Sequence, residues 1–305
     1  MENILNYLQK KNLQPSTIKL YLNNLKRLND DKPVEDLAFL GNINDIIAKI
    51  SHYKPTTQRN NIITICSVLK HFPDLEPLYK QYYDILLKCN EALKNHTDKT
   101  EQQLENWISQ DEVMKIYTEL TNKTSTLFKK KSLDKKEYDL LLDWLILSLY
   151  VLVPPRRILD YLLMVILPKS KKFVMNNNYN YIDLKNKKFI FNNYKTSGTY
   201  NQVVIDIPDV LFNVIITYLK FYPNKNDLGK EPVFLLSNYY GENLSQPNMI
   251  TKILNKIFGK KISVSMLRNI YLSSKYSNKI NELENDVAMM GTSSNTALHN
   301  YIKKD

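Results

Sequence analysis

YNYIDLKNKKFIFNNYKTSGTYNQVVIDI, residues 179–207, is the stretch with the texture of a β-sheet in this 305-residue chain. Its β-branched and aromatic runs Tyr179–Leu184, Lys188–Phe191 and Gln202–Ile207 are short and separated by turn residues, which predicts a small antiparallel sheet of three strands. The flanks read as helical. Upstream, an apolar helix from Glu137 to Val153 runs into Pro154-Pro155, which stops it, and a second helix is expected over Arg156–Leu167. Downstream, apolar positions at three- and four-residue spacing predict helices over Asp209–Phe221, Gln246–Phe258 and Ser265–Ser277, and onward to the end.

Further out, the N-terminal third is helical throughout. Gln14-Pro15-Ser16-Thr17 opens a helix with Ile18, Tyr21, Leu22, Leu25 and Leu28 on one face, and Pro55-Thr56-Thr57 opens another. A third follows Pro77, so residues 1–95 are expected to form a bundle of four or five short helices. Residues 96–108 are mostly polar and read as a linker. Ser109 with Glu112 then forms the Ser-x-x-Glu capping box that opens a second domain over 109–305. The fold class expected is mainly α with one small antiparallel β-sheet.

Composition narrows the function. Forty-two Lys and Arg against 31 Asp and Glu leave a net charge of +11, which suits a polyanionic partner. Hydrophobic residues make up 43% of the chain, enough for packed cores. The most apolar run, Trp144–Val153, is too short to cross a bilayer and Asp143 blocks its extension. The N-terminus has no signal-peptide pattern, and Cys66 and Cys89 have no metal-ligand spacing, so a soluble intracellular protein with reduced thiols is expected. No cofactor or metal is implied. The four histidines are not spaced for zinc, and only six glycines are present, none in a phosphate loop.

The chemistry is left to a few charged residues and a tyrosine. Arg156-Arg157 follows the double proline, where an arginine beside a core segment must be paired or face a ligand. Asp160 is spaced to share a helical face with Arg157 and hold its guanidinium. Lys195 lies in the turn after the second strand, and Arg268 between apolar positions of a short helix. Lys129-Lys130-Lys131 reads as solvated surface or a phosphate contact. Tyr301 is one of 21 tyrosines, a class used mostly for packing.

Taken in order, Arg157-Ile158-Leu159-Asp160, Lys195, Ser265-Met266-Leu267-Arg268 and Met290-Gly291-Thr292-Ser293-Ser294, with Tyr301 following, resemble the tyrosine recombinase/integrase family. Ser16, Thr17, Tyr21 and Leu25 are similar to the opening of that family's helical core-binding domain, so the resemblance spans essentially the whole chain. Pro154-Pro155-Arg156-Arg157 with Asp160-Tyr161 resembles versions from large DNA viruses and their mobile elements. The resemblance implies a site-specific recombinase that cuts and rejoins double-stranded DNA through a 3′-phosphotyrosine on Tyr301, without metal or ATP, as a dimer or tetramer on DNA. It also implies Arg157 and Arg268 as phosphate clamps, Lys195 as proton donor and Asp160 in support. Ser265 and Thr292 stand where the family usually has histidine. Ser265 would position a water or bond a phosphate oxygen, and Thr292 would donate a hydrogen bond to phosphate. His299 reads as a surface residue. The alternatives are a DNA-binding protein of replication or packaging that has lost catalysis, and a relaxing topoisomerase of the same chemistry.

Overall fold

The computed structural model describes residues 2–302, apart from 12, 14, 94–98, 169–172, 229 and 231. The described chain divides into two compact units, residues 1–99 and 100–305. The expected end of the first helical bundle at 94–95 and the first residues of the expected linker lie outside the described residues. Within the rest of that stretch, Glu101–Asn106 is a helix, opened by a reciprocal capping box between Thr100 and Gln103.

The first unit holds α1 (Glu2–Lys10), α2 (Pro15–Leu28), α3 (Ile43–Ile50), α4 (Pro55–Leu69) and α5 (Glu76–Leu93). Pro55 opens α4 because its missing N–H is one the first turn cannot satisfy anyway. The apolar faces of these helices enclose Leu25, Leu40, Ile46, Ile62, Ile65 and Leu69, all nearly without exposure. Two polar ties fix the packing. Asn24 on α2 donates to the Thr64 hydroxyl on α4 at 2.9 Å, and the Tyr82 hydroxyl donates to the Leu40 carbonyl at 2.8 Å.

The second unit begins with α6 (Glu101–Asn106) and α7 (Gln110–Ser125), the latter capped by Ser109 and Glu112 in the expected box. α8 (Lys135–Val151) is its spine, with every residue from Leu141 to Tyr150 buried. A helix apolar on all sides needs neighbours on all sides, and α7, α11 (Asp209–Lys220) and α12 (Pro247–Phe258) pack against it. Its single buried charge, Asp143, is met by Lys256 of α12 at 2.5 Å. Across the same interior the hydroxyls of Tyr138 and Tyr218 lie 2.8 Å apart.

The sheet differs from the expectation in size and sense. It has five strands in the order β4-β3-β2-β1-β5 and is mixed rather than antiparallel. β2 (Asn180–Asp183), β3 (Lys188–Phe191) and β4 (Val203–Asp206) form the antiparallel meander read from the sequence. β1 (Met164–Ile166) pairs parallel to β2 and antiparallel to β5 (Val233–Phe234). The helix expected over Arg156–Leu167 therefore shrinks to α9 (Ile158–Leu162). Val165 and Ile166 are β-branched, Pro168 disfavours helix in the residue before it, and all three β1 residues are buried between neighbouring strands. The β3–β4 connection carries the single turn α10 (Ser197–Tyr200). The last long helix, α13 (Val264–Met289), extends well beyond the expected Ser277 because no Gly or Pro interrupts it before Gly291. It is followed by α14 (Ser294–Thr296) and a π-type turn over Ala297–Tyr301. No helix among the described residues is long and apolar enough to cross a membrane.

Candidate active site

The double proline ends α8 and leaves Arg157 on extended backbone as the N-cap residue of α9. That placement changes the expected pairing. The Asp160 carboxylate is paired with the preceding arginine, Arg156, while Arg157 acts on it through its backbone N–H and its charge. Arg156 Nε donates to Asp160 Oδ2 at 2.8 Å, while its guanidinium lies 3.8 Å from the centre of the Phe191 ring and 5.4 Å from that of Tyr194. Cation–π contact and charge-assisted hydrogen bonding thus hold Arg156 in one place. Asp160 is 2% exposed, and burial pushes its carboxyl above the ordinary range against the opposing pull of Arg156.

Arg156, Arg157 and Asp160 line a cavity of about 470 Å³. Phe191, Tyr194 and Thr196 line it from the sheet side, Asp206 from β4, and Arg268 from α13. Arg157 and Arg268 are half-buried there, and neither guanidinium has a hydrogen bond or ion pair among the described residues. Two guanidinium groups on one concave surface, which also carries the carboxylates of Asp160 and Asp206, have the chemistry to hold an anion, since each can engage two oxygens of a phosphate.

Asn180 fixes the rim of this site. Buried at the start of β2, it donates to the carbonyls of Asp160 and Asn193, each at 2.9 Å. It accepts from the backbone N–H groups of Asn192 and Asn193 at 2.9 and 2.8 Å. One amide therefore ties α9 to the segment that leads into Tyr194 and Lys195. Lys195 itself is exposed between Tyr194 and Thr196 and is not among the lining residues.

The remaining expected site residues lie elsewhere. Ser265, exposed in the first turn of α13, lines a separate polar cavity with Ser263, Lys261, Thr251 and Asn269. Gly291 takes the left-handed φ of +67° that ends α13, and Ser293 caps the following turn by accepting from Thr296 N–H at 3.2 Å. The Gly-Thr-Ser-Ser motif is thus a helix stop followed by a helix start, with Thr292 half-buried between them. Tyr301 ends the π-type turn, 61% exposed, and is not among the residues of the arginine cavity.

Arg156 and Asn180 escaped the reading of the sequence as site residues. The four-residue spacing from Arg156 to Asp160 was a usable signal for the first. Nothing in the sequence distinguishes Asn180 from the many other asparagines. Among the described residues, no group of three His, Cys, Asp or Glu side chains is placed to hold a metal ion. No family model, no curated protein and no solved structure matches the chain.

Proposed function

We propose that the chain binds double-stranded DNA and breaks and rejoins it, with Arg157 and Arg268 holding the scissile phosphate and Tyr301 as nucleophile. The observation that carries this reading is the meeting of those two arginines, far apart in sequence and without an ion-pair partner among the described residues, on one cavity. In-line attack by the Tyr301 phenolic oxygen on phosphorus, its proton passing to solvent water, forms the phosphotyrosine bond and breaks the bond to the 5′ oxygen. The charge that accumulates on the non-bridging oxygens is met by the guanidinium groups. Lys195, beside the cavity on the β3–β4 connection, supplies the proton to the departing 5′ oxygen. Attack by a 5′ hydroxyl on the phosphotyrosine reverses these steps and rejoins the strand. Because the phosphotyrosine conserves the bond, rejoining needs no nucleotide. A site-specific recombinase acting as an oligomer on DNA is the form of this chemistry that the sequence resemblance favours. The test is trapping of a covalent complex on nicked duplexes whose cleavage releases a short fragment. Wild type should accumulate the adduct, and Tyr301→Phe should not.

A second reading is a DNA-binding protein without cleavage. It is favoured by the exposure of Tyr301 and its place outside the cavity lining. It predicts salt-dependent binding, as released counterions require, with no adduct on any substrate.

A further inference from the structure

The arginine that the proposed chemistry does not use is the one most firmly held. Arg156 gives its charge to Asp160 and its planar face to Phe191, whereas the guanidinium of Arg157, next to it in sequence, has no hydrogen bond or ion pair among the described residues. Asp160 is a buried carboxylate whose second oxygen, Oδ1, has no hydrogen-bond partner among the described residues, although the Arg157 backbone N–H helps to lower its pKa. Such a group costs free energy unless a cation is close by, and Arg157 is close enough to contribute to its electrostatic environment.

We infer that Arg156 is a positioning residue: by neutralising Asp160 it keeps that carboxylate from capturing Arg157, and so leaves Arg157 free to grip a phosphate. The inference rests on the phosphate site proposed above and adds the device that keeps it open. Without Arg156, the buried carboxylate has two ways to lose its penalty. It can draw in the Arg157 guanidinium, or it can take up a proton. The groups that bear on this choice are Arg156 and Arg157 before α9, Tyr161 on α9, Tyr150 from α8, and Arg268 and Asp206 across the cavity. Burial already pushes the Asp160 carboxyl upward, and removal of Arg156 raises it further. At low pH the protonated acid would release Arg157. As pH rises and Asp160 ionises, Arg157 would be captured.

The experiment compares wild type, Arg156→Met, Arg157→Ala and the double variant Arg156→Met/Asp160→Asn for binding to a short DNA duplex at fixed salt across pH. Arg156→Met should bind about tenfold more weakly at neutral pH, the equivalent of one lost charge-assisted contact, and the loss should shrink as pH falls. The double variant, which has no carboxylate to satisfy and the same net charge as wild type, should recover most of the affinity and should fold even if Arg156→Met does not. A double variant as weak as Arg156→Met or Arg157→Ala would overturn the inference, since Arg156 would then be a direct phosphate ligand. So would a folded Arg156→Met protein that binds as wild type does, or one whose structure leaves Arg157 out in the cavity. If Arg157→Ala binds as wild type does, the phosphate site itself falls. If Arg157→Ala is weak while Arg156→Met is not, only the role of Arg156 falls.

Discussion

The Asn180 side chain donates to the Asp160 carbonyl at 2.9 Å and accepts from the Asn192 and Asn193 N–H groups on its other side. Replacing it removes partners from the buried Asp160 carbonyl and from the part-buried backbone of Asn192 and Asn193 at once. Asn180→Ala should cost about 1–3 kcal/mol by denaturant titration, the range for leaving a buried group unsatisfied. Asn180→Asp should cost more, because a carboxylate oxygen would face the Asp160 and Asn193 carbonyls. A loss below about 0.5 kcal/mol, the range of ordinary surface substitutions, would show that the segment leading to Lys195 is held some other way.

Asp143 gives the second unit a pH-dependent stability. Burial holds its carboxyl above the ordinary range in spite of the Lys256 ammonium. The folded chain keeps this proton at pH values where the unfolded chain has released it, so the contribution is present at low pH and fades as pH rises through the folded value. Asp143→Asn should remove that decline, read as the slope of unfolding free energy above about pH 4. Lys256→Met should steepen it and cost about 1–3 kcal/mol at neutral pH. Equal slopes in wild type and Asp143→Asn would refute the assignment.

Arg268→Lys keeps the charge at the cavity but loses the planar fork. If the cavity holds a scissile phosphate through paired N–H groups, adduct formation should fall by about 10²–10³-fold, while duplex affinity changes far less because one cation replaces another. Affinity and adduct formation falling together would place Arg268 in general DNA binding rather than in the reaction.

Gly291 marks where α13 must stop. Its φ is +67° and an added Cβ would meet nothing within 4 Å, so Gly291→Ala should cost only the strain of a left-handed residue, roughly 1–2 kcal/mol. Gly291→Asn should cost less and Gly291→Val more. Thermal unfolding gives the order, and limited proteolysis over residues 292–302 reports whether the turn that carries Tyr301 has loosened. Asparagine as costly as valine would mean that space rather than backbone conformation sets the limit.

Helices with strong periodicity or caps were legible in the sequence, because the information they use is local. The Pro55 start of α4, the Ser109–Glu112 cap and the apolar spine of α8 are of this kind. β1 and β5 were not legible. Three and two residues are too short to show an alternation, and their strand state is imposed by pairing partners distant in the chain. The site follows the same division. Arg157 and Arg268 were noted for charge beside apolar positions but took their roles from the resemblance, and the Asp160 partner was displaced by one residue. At the helix start the pair that forms is four residues apart, Arg156 to Asp160, rather than the three expected for Arg157. Lys195, Ser265, Thr292 and Tyr301 were read by resemblance, and the cavity lining includes none of them.

The pairing of β1 with β5 also bears on how the chain is made. Val165 and Ile166 complete one side of their strand with Phe234 and Val233, residues synthesised much later. Until then an apolar strand stands with a bare hydrogen-bonding edge immediately after the arginine corner, a template on which another unfinished chain can pair. Non-local pairing of this kind is slow to form. That transient edge is a point at which aggregation of this unit during synthesis would begin. Slower synthesis at low temperature should raise its soluble yield, while a charged residue at Val165 would disrupt the finished sheet.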